Sequence, residues 1–448
     1  MRVLYSLLLR LLSPLLLGWM ALRARRAGGH WAVLDATRFG FYGQTPADPG
    51  VLWVHAVSLG ETRAAHPLLR ALLDQGHHVL LTHLTATGRA EGARVYAAEL
   101  ADGRLRQAWL PYDFPGATRR FMRHYRPAVG VLIEREVWPN LVHAAVRAGV
   151  PLVLASARMS GRSLRSTLRL GAVLRPAYGA LTRTYAQSLA DAQRLERAGA
   201  RQVAVSGNFK FDLRLDAGRM ARGRDFAARL GRRIVVIAST REGEDTLFVE
   251  AIRQALEQRR ARGDDAGRPL LFVLVPRHPQ RFDEAADLLQ KAGLPHVRRS
   301  QLLALGDGSS TAAEACQDAA VILGDTLGEM AWYYACAQVA IVGGSFVPLG
   351  GQNFIEASAQ GRPVLVGPHT ENFEQAVGDA LAAGAIARAA DPGQAVRQAL
   401  RWLDDPAALH RMGDAARDWV LQHAGAVGRV VDGIETLLAH SPRTPDPH

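Results

Sequence analysis

Cysteine is almost missing from this chain of 448 residues, in which only Cys316 and Cys336 occur. Two cysteines cannot supply a disulfide framework for a protein of this length, and neither lies in a Cys-x-x-Cys pair or a Cys/His cluster. A structural zinc site and a dithiol redox centre are therefore not expected. The same scarcity predicts that the main body of the protein resides in a reducing, cytoplasmic compartment.

Lysine is equally scarce, with Lys210 and Lys291 as its only occurrences, so arginine supplies nearly all of the positive charge. Lysine and arginine together number 54 against 42 acidic residues, which gives a formal net charge of +12. Such a charge favours a polyanionic partner: a nucleic acid, an anionic membrane surface or a phosphorylated substrate. Coding bias toward arginine would give the same skew, so the charge alone leaves the partner open.

One long apolar run stands out, at the amino terminus from Val3 to Leu22. As a helix it would measure about 30 Å, the thickness of a hydrocarbon core. Arg10 and Pro14 interrupt the run, and an arginine near the bilayer centre costs about 3 kcal/mol on insertion scales. A spanning helix, a shallow amphipathic anchor and a buried core helix all remain open.

A basic cluster follows this run, where a cleaved signal peptide would carry small residues. It consists of Arg23, Arg25 and Arg26. The segment is therefore predicted to be retained as a membrane anchor. The positive-inside rule places everything after Leu22 in the cytoplasm.

The body of the chain is predicted to be α/β. It is 48% hydrophobic and 21% charged, as in ordinary folded proteins, and its length suits two or three domains. From Val51 onward, apolar runs alternate with segments of helical period, the pattern of parallel strands joined by crossover helices. The predicted strands form two series: Leu52–Val57, Val79–His83, Val129–Ile133, Leu152–Ala155 and Thr184–Gln187, then Ile234–Ala238, Leu271–Val275, Ala320–Leu323, Val339–Val342 and Val364–Val366.

A polar, arginine-rich stretch without strand character separates the two series. The sequence therefore predicts two doubly wound domains joined by a linker, with a helical tail from Pro392. The predicted division is a membrane anchor at 1–25, a first Rossmann-like domain at 26–206, a linker at 207–231, and a second Rossmann-like domain with terminal helices at 232–448.

Several common ligand fingerprints are missing. No Gly-x-Gly-x-x-Gly follows a predicted strand, and there is neither a P-loop nor an Asp-x-Asp pair. Dinucleotide, P-loop nucleotide and metal–diphosphate sites therefore lack their usual signatures. Glu134 and Glu136 form the nearest carboxylate pair, and alternation along an extended chain would put both on one face. This pair alone is weak support for a metal site.

The predicted strand-to-helix loops carry the remaining signals, because ligands of doubly wound sheets bind beyond the carboxyl ends of the strands. Three loops match the capping box, in which a glutamate hydrogen-bonds back to the start of its helix. They are Ser58-x-x-Glu61, Ser239-x-x-Glu242 and Thr326-x-x-Glu329. Helix amino termini also attract phosphates and carboxylates, so both a capping role and an anion site remain open.

Other loops offer charge and close backbone approach. Arg277, between Pro276 and the His278-Pro pair, follows an all-apolar strand, where a guanidinium can grip a phosphate or form a structural ion pair. Glycine pairs at 343–344 and 350–351, with Asn353 and Glu356, allow close backbone approach and offer acceptors for sugar hydroxyls. Lys210 is one of only two lysines, which favours a specific need for a compact ammonium there, but one instance is weak evidence.

At these residues the chain resembles the bacterial 3-deoxy-D-manno-octulosonic acid (Kdo) transferases of lipopolysaccharide biosynthesis. The resemblance extends from the amino terminus to about residue 375. It is carried by ordered motifs: HAVSLGE, LTHLTATG, LPYDFP, IEREVWPN, SARMS, GNFKFD, ASTREGE, PRHPQRF, GDTLGE, GGSF, GGQNFIEA and GPHTENF. The chain departs from the usual family pattern at Arg135, Ser156 and Gln352, which affects fine substrate contacts rather than catalysis.

The resemblance implies a GT-B type glycosyltransferase with two Rossmann-like domains facing a central cleft, the first binding the acceptor and the second CMP-Kdo. The implied reaction is inverting transfer of Kdo from CMP-Kdo to the 6′-hydroxyl of the tetraacylated lipid A precursor, lipid IVA. It needs no metal and no further cofactor. The implied partners are CMP-Kdo, the lipid A precursor and the cytoplasmic face of the inner membrane, without nucleic acid or a known protein partner.

Family roles transfer to matching positions. The resemblance implies that Glu61 is the general base and that Glu134 and Lys210 act on the transition state. The implied CMP contacts are Pro276, Arg277, Leu327, Gly328, Glu329, Asn353, Phe354, Ile355 and Glu356. Two alternatives remain: another GT-B enzyme using a different nucleotide sugar, and a non-enzymatic basic protein that binds membranes or nucleic acid.

Overall fold

The computed structural model describes residues 1–27, 31–43, 50–213, 215–263, 269–306 and 309–440. The chain folds into two compact units, each built on a parallel sheet. Unit 1 comprises Met1–Asp212 together with His423–His448, and unit 2 comprises Leu213–Gln422.

Unit 1 contains a seven-stranded sheet in the order β3-β2-β1-β4-β5-β6-β7, with every neighbouring pair parallel. Its strands are β1 (Leu52–His55), β2 (Val79–His83), β3 (Leu105–Trp109), β4 (Val129–Ile133), β5 (Leu152–Ala157), β6 (Arg183–Ala186) and β7 (Val203–Val205). Its helices are α1 (Arg2–Ala27), α2 (Leu59–Asp74), α3 (Ala86–Val95), α4 (Ala97–Ala101), α5 (Pro115–Tyr125), α6 (Pro139–Arg147), α7 (Gly161–Arg169), α8 (Gly171–Gly179), α9 (Leu189–Ala198) and α20 (Ala426–His440).

Unit 2 repeats the plan in the order β10-β11-β9-β8-β12-β13-β14, again with parallel neighbours. Its strands are β8 (Arg233–Thr240), β9 (Leu270–Pro276), β10 (His296–Arg298), β11 (Val321–Leu323), β12 (Val339–Val342), β13 (Val364–Val366) and β14 (Ile386–Arg388). Its helices are α10 (Ala217–Leu230), α11 (Glu244–Arg262), α12 (Phe282–Lys291), α13 (Arg299–Ala304), α14 (Ser310–Glu314), α15 (Met330–Cys336), α16 (Ile355–Ala359), α17 (Glu374–Ala382), α18 (Pro392–Leu403) and α19 (Pro406–His423).

The central strands are mostly apolar because helices cover both faces of each sheet. Every residue of β1, β2, β4 and β5 is buried, and so is every residue of β9 and β12. Helix α2 contributes Leu68, Leu69 and Leu72, all fully buried, at the spacing of one helix face. Truncating one such leucine to alanine typically costs about 2 to 5 kcal/mol.

Each sheet reverses its strand order at one point, between β1 and β4 in unit 1 and between β8 and β12 in unit 2. At such a switch point the loops that follow the two strands diverge and leave room for a ligand. In unit 1 Glu61 lies in the first turn of the helix after β1 and Glu134 directly follows β4, and in unit 2 the loops after β8 and β12 contain Glu242 and Gly343. The fold therefore places predicted site loops at both switch points.

Helix α20 returns to unit 1, although the sequence-based division assigned the whole tail to the second domain. Its residues Val430 and Ile434 belong to the core cluster under β1 and β4. The Asp212 carboxylate accepts hydrogen bonds from the backbone amides of Gly425 and Val427, the latter at 2.6 Å. The segment 207–231 also differs from an extended linker, because most of it forms α10, which packs on α15 within unit 2.

All ten strands named from the sequence are present, with ends shifted by no more than two residues. The structure adds β3, β7, β10 and β14 within the described residues, and each is an edge strand of its sheet. Helix α1 is apolar and long enough to cross a membrane. Only 6% of its most apolar window is buried, so the interpretation of this segment as a core helix is wrong.

Candidate functional site

The Ser58 loop fixes Glu61 at the switch point of unit 1. Ser58 caps α2 with its side chain, which accepts a hydrogen bond from the amide of Glu61. The carboxylate turns back: its Oε2 accepts from the amide of Val57 at 2.7 Å, and its Oε1 accepts from Ser58 Oγ at 3.5 Å. This is the predicted capping geometry, displaced by one residue. It leaves Oε1 as the more weakly held oxygen among its described contacts.

The Glu61 carboxyl titrates near neutrality. Burial is the main cause that raises its pKa to about 7, and the negative charge of Glu136 is the next. Glu134 adds a smaller contribution in the same direction, while the Val57 amide opposes it. A carboxyl with such a pKa can accept a proton at neutral pH, as a general base must.

Glu134 follows β4 in a left-handed conformation, with φ of 61°. Such a conformation is uncommon for a residue with a side chain, and when held by its surroundings it tends to mark a functional site. Its amide donates to Ala155 O at 3.0 Å, and its Oε2 accepts from Arg158 Nε at 2.8 Å. Ser156, at the neighbouring end of β5, has a φ of 49°. Two adjacent strands, β4 and β5, therefore carry strained residues at their carboxyl ends.

Lys210 is brought to the same place by the 3-10 turn Phe209–Phe211, which Asn208 caps. The two phenylalanines are buried while the lysine side chain is exposed. Desolvation lowers the pKa of Lys210, and the charge of Glu134 opposes that shift. Unit 1 therefore brings together all three predicted residues, Glu61, Glu134 and Lys210.

Glu136 completes this carboxylate cluster and was singled out from the sequence only as half of a pair. Its Oε2 accepts from Trp138 Nε1 at 2.9 Å. Burial raises the pKa of Glu136, and Glu134 contributes to the rise. Glu134 and Glu136 thus have separate protein donors, Arg158 and Trp138.

His55 lies in the HAVSLGE motif but belongs to the core. It is fully buried, with Nδ1 at 3.0 Å from Thr82 Oγ1. Burial lowers its pKa to about 3, so the imidazole stays neutral at physiological pH. Its Nδ1 contacts Thr82 on the neighbouring strand β2, so its part in the motif is structural.

In unit 2 the switch-point loops are joined by Glu244, which sequence reasoning missed because it concentrated on Glu242. Glu244 is fully buried, and its carboxylate accepts from the amides of Gly344 and Phe346 at 2.6 and 2.8 Å. Glu242 is exposed and pairs with Arg241. A side chain at Gly343 would meet the Glu244 carboxylate at 2.8 Å, so the close approach requires glycine.

A second group in unit 2 contains Arg277, Asn353 and Glu356. Asn353 Nδ2 donates to Glu356 Oε1 at 3.1 Å, and its Oδ1 accepts from the amide of Ile355 at 3.1 Å. Burial raises the pKa of Glu356, and the hydrogen bond from Asn353 and the charge of the exposed Arg277 partly offset the rise. The structure therefore brings these three predicted residues together.

Four predicted contact residues differ in what they can offer a ligand. Phe354 and Ile355 are buried, and the Phe354 ring stacks on Trp419 with centroids 5.5 Å apart. Their side chains serve the core, so only backbone atoms remain for a ligand. Pro276 is the buried last residue of β9. Leu327, by contrast, is 68% exposed at its loop.

Glu329 was predicted as a CMP contact, but its carboxylate already has three protein donors. Arg299 donates from Nε and Nη2 at 3.1 and 3.0 Å, and Thr326 Oγ1 donates at 2.5 Å. The adjacent Gly328 has a φ of 78° and accepts from Arg219 through its carbonyl. Glu329 therefore shapes this loop through protein contacts, and Arg299 is a further residue that the sequence did not reveal.

Two of the three predicted capping boxes are wrong. Ser239 lies within β8, where it has a left-handed conformation with φ of 59°. Helix α11 begins only at Glu244, so Ser239 does not cap it. Helix α15 begins at Met330, without a side-chain cap, so Thr326 does not cap it. In both loops the glutamate that was read as a cap partner faces arginine instead.

Among the described residues, no group of three or more His, Cys, Asp or Glu side chains could hold a metal ion. Both cysteines are buried and unpaired with each other.

Comparison with known proteins gives a consistent result. Residues 36–213 match the family described as 3-deoxy-D-manno-octulosonic-acid transferase (kdotransferase). The chain is 53% identical over 439 residues to the 3-deoxy-D-manno-octulosonic acid transferase of Bordetella pertussis, covering 98% of this chain and 99% of that protein. It is 31% identical to the Haemophilus influenzae transferase of the same name over 445 residues, with 98% and 99% covered. A solved glycosyltransferase from Rickettsia africae shares the fold, with a TM-score of 0.52, 12% identity, and 88% and 100% covered.

Proposed function

Since the chain belongs to the 3-deoxy-D-manno-octulosonic acid (Kdo) transferase family, we propose that it transfers Kdo from CMP-Kdo to the 6′-hydroxyl of lipid IVA with inversion at the anomeric carbon. Its glycosyltransferase class and its GT-B fold, both predicted from the sequence, are confirmed. The donor, the acceptor and the attacked hydroxyl are the proposed part. The observation that carries the proposal is the meeting of Glu61, Glu134 and Lys210 in unit 1.

Glu61 acts as the general base in this scheme. Its Oε1 takes the proton of the acceptor hydroxyl while that oxygen attacks the anomeric carbon of Kdo. The bond from that carbon to the phosphate oxygen breaks, and CMP leaves as an anion. A single displacement of this kind needs one carboxylate base and no covalent nucleophile. The pKa of about 7 suits the role, because at pH 7 a substantial fraction of Glu61 is ionised.

Lys210 and Glu134 are proposed to act on the reacting sugar. Kdo carries its own carboxylate, and an ammonium near that group offsets negative charge as the leaving group departs. Glu134 sustains the charge of Lys210 despite the desolvation that lowers the lysine pKa. Arg158, which holds Glu134 at 2.8 Å, fixes the carboxylate in place.

Donor binding is assigned to unit 2. Arg277 is proposed to contact the phosphate of CMP, since a guanidinium can form paired hydrogen bonds to phosphate oxygens. Asn353 and Glu356 are proposed to hold cytosine or ribose through their polar atoms. Pro276, Leu327, Gly328, Phe354 and Ile355 contribute backbone in this proposal, and Glu329 acts indirectly through the loop that it stabilises.

The protein is further proposed to associate with the cytoplasmic face of the inner membrane through α1. Support comes from the exposed apolar surface of that helix and from the basic cluster at its end. The acceptor, a bisphosphorylated acylated disaccharide, and its membrane are both anionic, which suits the net charge of +12.

Incubation of the purified full-length chain with CMP-Kdo and lipid IVA, followed by mass spectrometry, tests the reaction and counts the Kdo residues added. A mass increase of one or more Kdo units supports the proposal, and an unmodified lipid would refute it. Comparing inhibition of the reaction by CMP with inhibition by UDP separates this proposal from the alternative of another nucleotide-sugar enzyme. Inhibition by UDP but not by CMP would favour that alternative.

A further inference from the structure

The start of α1 is tied to unit 1 by hydrogen bonds. Arg2 Nη1 donates to Asn140 Oδ1 at 3.1 Å, and Tyr5 OH donates to Asp113 Oδ2 at 3.0 Å. The Ser6 hydroxyl is shared between Arg2 O at 2.9 Å and Asn140 Oδ1 at 3.1 Å. The side chains of Asn140 and Asp113 are buried. Asp113 also accepts the first amides of α6, so the same group that caps α6 receives α1. The N-terminal end of α1 is therefore held by a built socket.

The other end of α1 is also confined to unit 1. The chain is packed again at Trp31, which is 8% exposed and whose carbonyl accepts from Arg38 at 2.9 Å. Arg38 is fully buried and also donates to Leu84 O at 2.8 Å. Five residue steps separate Arg26 from Trp31, and they can span at most about 18 Å.

These two attachments are incompatible with a helix that crosses the bilayer. From Tyr5 to Arg26 the helix measures about 32 Å, so a spanning α1 would put these residues on opposite faces of a hydrocarbon core about 30 Å thick. Unit 1 would then need to contact Tyr5 on one face and hold Trp31 close to the other. A folded domain with polar surfaces cannot occupy both.

Much of the surface of α1 is exposed and apolar, including Val3, Leu7, Leu12 and Leu16, and its most regular part is a continuous ridge. Its members recur every three or four residues and therefore share a side of the helix. They are Leu4, Leu8, Leu11, Leu15, Trp19 and Leu22, each between 49% and 74% exposed. Tryptophan prefers the membrane–water interface to the bilayer centre, which suits a shallow position. Arg10 lies outside this ridge, more than a right angle around the helix from its centre.

We propose that α1 lies in the plane of the membrane surface, with the apolar ridge among the upper acyl chains, and does not span the bilayer. Its basic end, Arg23, Arg25 and Arg26, then meets anionic lipid headgroups. This inference rests on the proposed membrane association and goes beyond it, because it fixes the amino terminus on the same side of the membrane as the body of the protein.

The test uses the full-length chain with a protease-cleavable epitope tag ahead of Met1, in membrane vesicles of both orientations. Leu247→Cys, an exposed position on α11 in unit 2, reports the side of the body through an impermeant maleimide. The natural Cys316 and Cys336 are at most 1% exposed, so they give little background. Cleavage of the tag and labelling of the cysteine in the same vesicles support the proposal. Cleavage only in the opposite vesicles would overturn it.

A depth measurement adds an independent readout. A fluorophore on Leu11→Cys or on Leu22→Cys should be quenched equally by lipids that are brominated near the headgroup, because an in-plane helix keeps one depth. Markedly deeper quenching at position 11 would indicate a spanning helix and overturn the proposal. Absence of quenching together with cross-linking between copies at position 11 would also overturn it, by showing that a second chain covers the ridge. Kdo transfer measured in detergent separates either outcome from a failure of the proposed function.

Discussion

Arg299 holds Glu329 through a two-pronged hydrogen bond, with Nε–Oε2 and Nη2–Oε1 distances of 3.1 and 3.0 Å. The guanidinium is 1% exposed and lies 3.7 Å over the ring of Trp332. The next residue, Ser300, binds Asp325 with its amide at 2.8 Å and its hydroxyl at 2.7 Å. Residues 299–300 therefore fix both ends of the loop 325–329, which contains the exposed Leu327.

Arg299→Lys should raise the KM for CMP-Kdo by roughly tenfold while kcat changes less. Lysine keeps the charge but cannot reproduce the paired geometry, and each lost charged hydrogen bond is worth about 1.5 to 3 kcal/mol. Ser300→Ala, which keeps the amide contact to Asp325, is the matched control and should show a smaller effect. Initial rates give KM and kcat for both variants, and thermal unfolding shows whether each variant is folded. If the Arg299→Lys protein is folded and its KM is unchanged, Arg299 does not contribute to donor binding.

Glu61→Gln should lower turnover by roughly a hundredfold or more, the scale of a lost general base. Glutamine can still occupy the Ser58 loop and accept the Val57 amide, so the fold and the affinity for CMP should be nearly unchanged. Product formation from CMP-Kdo and calorimetric titration with CMP check the two halves. Near-normal transfer would reject the assigned role.

The pH profile should reflect the carboxylate cluster. With a Glu61 pKa of about 7, kcat/KM should rise with pH and reach half of its plateau near pH 7, because only the ionised base is active. Glu136→Gln removes a negative charge that disfavours the ionised form, so the midpoint should move to lower pH by roughly one unit. Its plateau should fall, since a weaker base transfers protons less efficiently. A midpoint that stays in place would show that the Glu136 charge does not contribute to the raised pKa of Glu61.

The central strands were predictable from the sequence, whereas the edge strands were not, and burial explains the difference. Strands β4 and β12 are covered on both faces and read as unbroken apolar runs. In β3 the exposed Arg106 interrupts the run, and β7 and β10 are only three residues long with little burial. Such strands are defined by hydrogen bonding to a neighbouring strand, and the local sequence carries no information about that pairing.

The site was predictable where spacing alone determines contact. Ser58 and Glu61 meet because a capping turn brings residues three apart together. The bond between Glu244 and Gly344 joins positions 100 residues apart, and that between Arg299 and Glu329 joins positions 30 apart. Those contacts arise from strand order in the sheet. Neither the period nor the composition of either segment indicates them.

Lys210→Ala should reduce kcat by more than it weakens donor affinity, because the ammonium is assigned to charge that develops during the reaction. Lys291→Ala is the matched control, since Lys291 is the other lysine of the chain and lies exposed at the end of α12. The control should retain normal rates. Equal losses in kcat and in affinity for Lys210→Ala would make the residue a ground-state binder.

Chelation should leave Kdo transfer unchanged, since the family resemblance implies a reaction without a metal. Glu134 and Glu136, the nearest carboxylate pair, have protein donors in Arg158 and Trp138 at 2.8 and 2.9 Å. A divalent ion at this pair would compete with those donors for the carboxylates, and it would lower the pKa of Glu61 below the value that burial gives it. Rates measured with excess EDTA and with added Mg²⁺ should therefore agree within about twofold, and the pH midpoint should not move. The prediction would be contradicted if chelation abolished activity and Mg²⁺ restored it with a lower pH midpoint. A bound metal ion, and not Glu136, would then be the charge that sets the pKa of Glu61.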